Sequence, residues 1–168
     1  MAFTILLSLA GCVLLFLGIW GVTITMPTKL LARNFPLDVQ ERLKPRLEEI
    51  DREPMTFKRV LGWVILVLFI LGYLALFVVG GQDGVANGFS FSQFFLRFFV
   101  IGVAIKAFDI IALDYFLLTK THFFQHYFPE TEGCPGWKDF GYNRRQQLRQ
   151  ILMIPIGCTL MAWYFSRF

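Results

Sequence analysis

The sequence predicts an all-α integral membrane protein with four transmembrane helices and an interfacial amphipathic helix on the cytoplasmic side. Of its 168 residues 56% are hydrophobic, and the mean hydropathy is +0.58. Four apolar stretches approach the roughly 20 residues that a helix needs to cross about 30 Å of hydrocarbon. They are continuous runs, unlike the alternating strands of a membrane barrel. We therefore predict a single membrane domain, 1–168, with spans at about 3–26, 60–79, 94–118 and 151–165.

Lys and Arg are distributed unevenly among the connections. Most of them lie in two long loops, 27–59 and 119–150, whereas the connection 80–92 contains none. Because positively charged loops stay in the cytoplasm, this bias predicts a multi-pass protein of the cytoplasmic (inner) membrane, with both loops inside and both termini outside. The expected partners are the lipid bilayer and its anionic headgroups at the basic loops. Nucleic acid is not expected, because no soluble face interleaves basic and aromatic residues.

The first span, residues 3–26, is predicted to be retained. Its segment from Leu9 to Cys12 imitates the cleavage box of a lipoprotein signal. However, no Lys or Arg precedes this segment, and hydrophobicity continues through Trp20, as it does in a retained span.

The first long loop contains a predicted amphipathic helix that begins at Asn34 or Pro36. Its apolar residues recur at helical spacing, and charged residues occupy the opposite face. Pro45 is expected to kink this helix or to split it in two. The helix is predicted to lie along the membrane surface or to pack beneath the bundle, with docking of a partner as the alternative. The apolar stripe consists of Val39, Leu43, Leu47 and Ile50.

The second span, 60–79, is almost uniformly apolar, and its one notable internal polar group is the hydroxyl of Tyr73. The segment that follows, from Gly80 to Gly84, is rich in glycine. Such segments typically form turns, so this one is predicted to reverse the chain.

The third span, 94–118, differs from the others because it carries charged residues. At about 1.5 Å per residue it covers about 37 Å, which places Lys106 close to the midplane and Arg97 near the outer interface. Arg97 is expected to extend its guanidinium towards that interface. Lys106 and Asp109 share a face at i and i+3, while Asp114 is rotated by roughly 140° from Asp109.

Ionisable groups at this depth are costly and commonly face a bundle interior or an aqueous cavity. Three interpretations stay open for Lys106 and Asp109: a structural ion pair, a ligand or ion pathway with Asp114 and Tyr73, or recognition of a partner. A cation that precedes an anion is the less favourable order for a helical pair. Further partners are therefore expected from water, a ligand, a second subunit or the hydroxyls of Tyr73, Ser8, Thr23 and Thr159.

Two histidines after the third span suggest a metal site. His122 and His126 lie at i and i+4, the spacing by which one helix face presents two imidazoles to a metal ion. Asp114 and Glu130 are the candidate carboxylate ligands. Such a site could activate water for lipid chemistry, but the pattern lacks a Glu beside the first histidine.

The loops carry two further motifs. The first runs from Asn34-Phe35-Pro36 through Gln40-Glu41-Arg42. The second combines Pro129, Thr131-Glu132-Gly133 and the segment from Gly136 to Phe140. Together with an acidic residue pair after the third span, these motifs resemble those of small bacterial multi-pass membrane proteins of uncharacterised function. The resemblance implies a bacterial cytoplasmic-membrane protein and implies no activity.

The fourth span, 151–165, is short and carries Pro155 in its first turns, where a kink or an open start is expected. The function predicted first is a small transport, permeation or ligand-binding bundle, with a homo-oligomer as one way to bury the third-span charges. The alternative is a structural or accessory subunit of a larger membrane complex. A metal-dependent lipid-modifying enzyme is the second alternative. An enzyme is the less favoured class, and the sequence requires no cofactor.

Overall fold

A computed structural model describes residues 1–25, 29–52 and 54–168. The described residues form helices and turns and contain no strand. Within these described ranges, three helices are long and apolar enough to cross a membrane: Ala2–Thr25, Phe57–Ala86 and Arg144–Phe165. The predicted end of the first span at residue 26, and residues 27, 28 and 53 of the first loop, lie outside the described residues. In chain order the α-helices are α1 (Ala2–Thr25), α2 (Lys29–Ala32), α3 (Leu37–Arg52), α4 (Phe57–Ala86), α5 (Phe91–Phe108), α6 (Phe123–Tyr127) and α7 (Arg144–Phe165).

The predicted third span is not one α-helix. The α-helix α5 ends at Phe108, and a π-helix continues over Asp109–Lys120. Its i to i+5 pattern extends to Thr121, whose N–H donates to the carbonyl of Phe116 at 3.0 Å. The predicted rotation of Asp114 relative to Asp109 assumed α geometry, so that angle does not apply here.

The glycine-rich segment after the second span is helical, and the prediction of a turn at Gly80–Gly84 is wrong. Helix α4 continues through it to Ala86. Glycine is required here because a Cβ added at Gly84 would lie 2.3 Å from Cε1 of Phe94. The chain reverses later, at Gly88, which has a φ of +63°. Phe89 N–H donates to Gly84 O at 2.9 Å and Gly88 N–H to Val85 O at 3.1 Å, as in a Schellman helix end.

The chain forms two compact units. Unit 1 comprises Met1–Leu15, Phe69–Asp109 and Arg145–Phe168. Its core has two clusters, one around Ile101 and Ile105 and the other around Phe94 and Phe98. Phe94 and Phe98 are 1% and 0% exposed, and the ring of Phe165 lies about equally close to both.

Unit 2 comprises Phe16–Leu68 and Ile110–Arg144. Val39, Leu43 and Leu47 of the predicted apolar stripe are buried on α3, in one cluster with aromatic residues from both loops. Helix α3 runs through Pro45 without splitting. Its location at the membrane surface stays a prediction. The aromatic members of the cluster are Phe35, Phe124, Phe128 and Trp137.

Polar contacts hold the same two loops together in unit 2. Gly136 N–H donates to Oδ2 of Asp38 at 2.8 Å. Trp137 Nε1–H donates to the carbonyl of Thr131 at 3.1 Å. Arg46 Nη1 lies 2.8 Å from Oε1 of Glu130. The motifs quoted for the family resemblance therefore meet in one folded region.

Helix α7 begins two turns before the predicted fourth span and continues through Pro155. Because proline lacks an N–H, the carbonyl of Ile151 loses its usual α-helical donor. The early start adds Arg149 and Gln150 to the helix, and both side chains are important for the site described below.

Candidate functional site

Unit 1 contains a cleft of about 670 Å³ between α4, α5 and α7. Aromatic rings from α4 form one wall, and Met153, Ile154 and Met161 of α7 form the opposite one. Two glycines, Gly102 of α5 and Gly157 of α7, also border the cleft. A Cβ added at Gly157 would meet no atom within 4 Å, so part of this space exists because position 157 has no side chain. The walls are therefore mostly apolar.

One end of the cleft is polar. Lys106 Nζ lies 2.6 Å from Oδ2 of Asp109 and donates to Oε1 of Gln150 at 2.5 Å. The side chains of Lys106 and Asp109 are 12% and 26% exposed, so neither is sealed in the core. Arg149 lines the same end and is exposed. Two cations, one anion and one amide thus surround a single opening.

The polar pair lies where α5 changes into the π-helix. Asp109 N–H donates to the carbonyls of both Ile105 and Lys106. This shared hydrogen bond belongs to the last α turn and to the first residue of the π-helix. Because π segments are uncommon and frequently occur at functional sites, the junction is a second reason to regard this end of the cleft as the candidate site.

Gln150 is the hydrogen-bond partner that sequence reasoning missed. Three of the four expected hydroxyl partners are used elsewhere: Ser8 donates to Thr4 O, Thr23 to Ile19 O and Thr159 to Pro155 O. Gln150 precedes the predicted fourth span by one residue, so it was assigned to a loop. The signal that could have found it is the helix-compatible run from Arg144, which contains no Gly or Pro before Pro155.

Tyr73 lines the cleft together with Lys106 and Asp109. No described residue forms a hydrogen bond with its hydroxyl. Three of the four residues predicted for a ligand or ion pathway therefore border one cavity.

Asp114, the fourth predicted pathway residue, belongs to unit 2. There it accepts a hydrogen bond from Nδ2 of Asn143 at 2.9 Å. The structure thus assigns Asp114 to contacts between the π-helix and the second loop, and it does not line the cleft of unit 1.

Arg97 has a partner that the sequence did not predict, and the extension of its side chain towards a membrane surface stays a prediction. Its side chain is 4% exposed and lies 2.6 Å from Oδ2 of Asp83. It also donates to the carbonyl of Gly80 at 2.7 Å, and its guanidinium carbon lies 4.2 Å from the ring centroid of Phe89. Asp83 is not predicted as this partner because the sequence pattern places it in a turn, whereas the longer helix α4 presents it to Arg97.

The proposed metal ligands lie in unit 2, and in the part of the chain that the structure describes no group of three His, Cys, Asp or Glu side chains could hold a metal ion. Glu130 is paired with Arg46, and the ring of His126 packs edge-on against Tyr127. His122 precedes α6 at its N-cap. The metal site of His122, His126, Asp114 and Glu130 stays a prediction.

Comparison of the chain with protein-family models, with curated proteins and with solved structures finds no match. The interpretation of the cleft therefore rests on its own geometry.

Proposed function

We propose that this protein binds an amphiphilic small molecule in the cleft of unit 1. The ligand's apolar part lies between α4 and α7, and its polar group lies at Lys106, Arg149 and Gln150. The observation that carries the proposal is a mostly apolar cavity of about 670 Å³ with its charged groups gathered at one end. Small-molecule sites typically measure about 300–1,000 Å³ and combine apolar walls with a few placed polar groups.

The length of the cleft suits a molecule whose apolar part is shorter than the hydrocarbon core of a bilayer is thick. Along α5 it extends from Phe98 to Asp109, which is about 16 Å at about 1.5 Å per residue. The hydrocarbon core of a bilayer is about 30 Å thick. The apolar part of the ligand therefore spans about half of that thickness.

The geometry supports binding. Transport or permeation would require the bound molecule to cross the membrane as well. Phe98 lines the cleft and stacks on Phe94, whereas the charged groups lie at the other end. At the Phe98 end, closely packed rings lie in the path of a bound molecule. This favours a site that is closed at one end over a continuous channel. Flux of the bound molecule in proteoliposomes is the measurement that would extend the proposal to transport.

Photolabelling tests the proposal. The protein is placed in phosphatidylcholine nanodiscs and irradiated with a diazirine derivative of hexadecanol, and labelled peptides are identified by mass spectrometry. We expect saturable labelling of the α7 peptide that contains Met153 and Met161, with unlabelled hexadecanol as the competitor. Labelling that increases linearly with probe concentration, as it does on any lipid-facing surface, would contradict binding.

Gly157→Phe provides the matched variant. A Cβ added at this position meets no atom within 4 Å, and we expect the ring attached to it to reduce saturable labelling at least about tenfold by occupying the volume of the ligand. Leu160→Phe is the control, since Leu160 lies on the same helix, is 63% exposed and does not line the cleft. If the two variants were labelled equally, the probe would be bound outside the cleft.

We also propose the orientation that the charge bias predicts, in the cytoplasmic (inner) membrane with both long loops inside and anionic headgroups at their basic residues. Asn87 and Glu132 are both exposed and belong to opposite sides in this orientation. In a background without Cys12, Cys134 and Cys158, an impermeant thiol reagent should label Asn87→Cys in intact cells. Glu132→Cys should react only after permeabilisation, and the reverse pattern would invert the orientation.

An accessory subunit of a larger membrane complex and a homo-oligomer are the remaining proposals for partners. Copurification from native membranes and measurement of mass in solution test them. A stoichiometric partner protein, recovered together with loss of saturable labelling in the isolated chain, would favour the accessory role over ligand binding.

A further inference from the structure

The polar end of the cleft carries an excess of positive charge. Lys106 and Asp109 neutralise each other at 2.6 Å. Arg149 lines the same end, and among the residues that the structure describes no carboxylate lies within ion-pair distance of its guanidinium. The local balance is therefore one uncompensated cation, which a ligand with a single negative charge would neutralise.

The same end is also richer in hydrogen-bond donors than in free acceptors. The ammonium of Lys106 has three N–H groups, and two of them are directed to Asp109 and Gln150. Because the oxygen of the Gln150 amide is occupied by Lys106, its NH₂ group remains as a donor. The guanidinium of Arg149 and the hydroxyl of Tyr73 add further donors. This arrangement suits the acceptor oxygens of an anion better than the hydroxyl of a neutral alcohol.

The walls limit the apolar part of the ligand. They form one groove of about 16 Å along α5, and the whole cleft encloses about 670 Å³. A volume in this range is typical of sites that hold one small ligand. One acyl chain matches this groove better than the two chains and larger headgroup of a phospholipid.

We infer that the cleft takes a single-chain amphiphile with one negative charge, a long-chain carboxylate, whose head group is bound by Arg149 and Gln150 beside Lys106. This inference rests on the proposed function and names the ligand class of the same site. It assigns Arg149, which the sequence analysis counted only among the basic loop residues, to ligand recognition.

Competition in the same nanodiscs tests the inference. Unlabelled palmitate and unlabelled hexadecanol compete with the photoreactive hexadecanol at an alkaline pH at which the carboxylate is ionised. We expect palmitate to reach half-maximal competition at a concentration at least about tenfold lower, since its carboxylate accepts charge-assisted hydrogen bonds that are stronger than those of a neutral hydroxyl. Arg149→Gln should remove this advantage, whereas Arg145→Gln, an exposed arginine one turn earlier that does not line the cleft, should preserve it.

The outcomes separate this inference from the proposed function. Equal competition by acid and alcohol, or an unchanged advantage in Arg149→Gln, would overturn the inference while saturable labelling still supports binding. Absence of saturable labelling would overturn both. Nanodiscs that contain phosphatidylglycerol supply a two-chain anion. If this lipid alone abolished labelling of the α7 peptide, the single-chain assignment would be wrong.

Discussion

The two ends of unit 1 each contain a cation, but the surroundings of these two cations differ. At the closed end, Arg97 is 4% exposed, pairs with Asp83 and donates to a backbone carbonyl. At the open end, Lys106 pairs with Asp109, but its second partner is the exposed side chain of Gln150 and it borders a cavity. Both cations have an aspartate, so an ion pair alone does not distinguish structural from ligand-binding roles. The cavity beside Lys106 and Asp109 distinguishes the two roles.

The largest effect is expected at the closed end. Arg97→Met removes a buried cation that bridges α5 to Asp83 and Gly80, and leaves these acceptors without it. We expect a loss of about 2–3 kcal/mol in the free energy of unfolding. This is below the roughly 3–5 kcal/mol that breaking a buried ion pair typically costs, because Asp83 keeps some contact with solvent. Denaturant titration in detergent, followed by tryptophan fluorescence, measures it. Arg145→Met is the control, and a similar small change in both variants would contradict the closed-end description.

A smaller loss is expected for Gly84→Ala. The added Cβ would lie 2.3 Å from Cε1 of Phe94, and that ring cannot yield easily because it packs against Phe89, Phe98 and Phe165. Overpacking typically costs about 1–3 kcal/mol, and the better helix propensity of Ala offsets up to about 1 kcal/mol. We expect a net loss of about 1–2 kcal/mol in the same titration. An increase in stability would show that the rings can rearrange.

At the open end, Lys106→Met should separate binding from stability. Asp109 and Gln150 border the cleft, so water can replace the lost ammonium, and we expect a change of about 1 kcal/mol or less in unfolding free energy. The palmitate concentration that gives half-maximal competition should increase several-fold. Destabilisation as large as that of Arg97→Met would indicate that Lys106 is a structural cation like its counterpart.

The smallest effect is a gain. Gly157→Ala introduces a methyl group into open space within α7, and replacing an interior helical glycine with alanine commonly stabilises by about 0.5–1 kcal/mol. We expect a slightly higher unfolding free energy, in contrast to Gly84→Ala. If both glycine variants were destabilised equally, the space at position 157 would be filled in the folded protein.

Sequence periodicity and composition predicted the helical class and the stripe of α3, because apolar spacing reports burial directly. The i, i+3 spacing likewise predicted the contact between Lys106 and Asp109. Contacts between separate helices were harder to predict from the sequence. Glycines at 80–84 are typical of a turn and equally of a helix against aromatic rings, and only the position of Phe94 and Phe165 distinguishes the two.

The other differences concern helix ends and the π-helix. Ending α4 early removed Asp83 from the helix and left Arg97 without a predicted partner. Starting α7 at residue 151 removed Arg149 and Gln150 from the site, because polar residues at a helix end resemble a loop when only hydropathy is considered. The π-helix after Asp109 has no pattern in the sequence that we recognised.

The hydrogen bond between Asp38 and Gly136 joins residues 98 positions apart, and the buried face of α3 likewise depends on Phe124, Phe128 and Trp137. At roughly 5–20 residues per second of synthesis, these partners are synthesised about 5–20 s after α3. The helical segments that follow α3 are made during that interval. The apolar stripe of α3 therefore lacks these partners until the second loop has been synthesised.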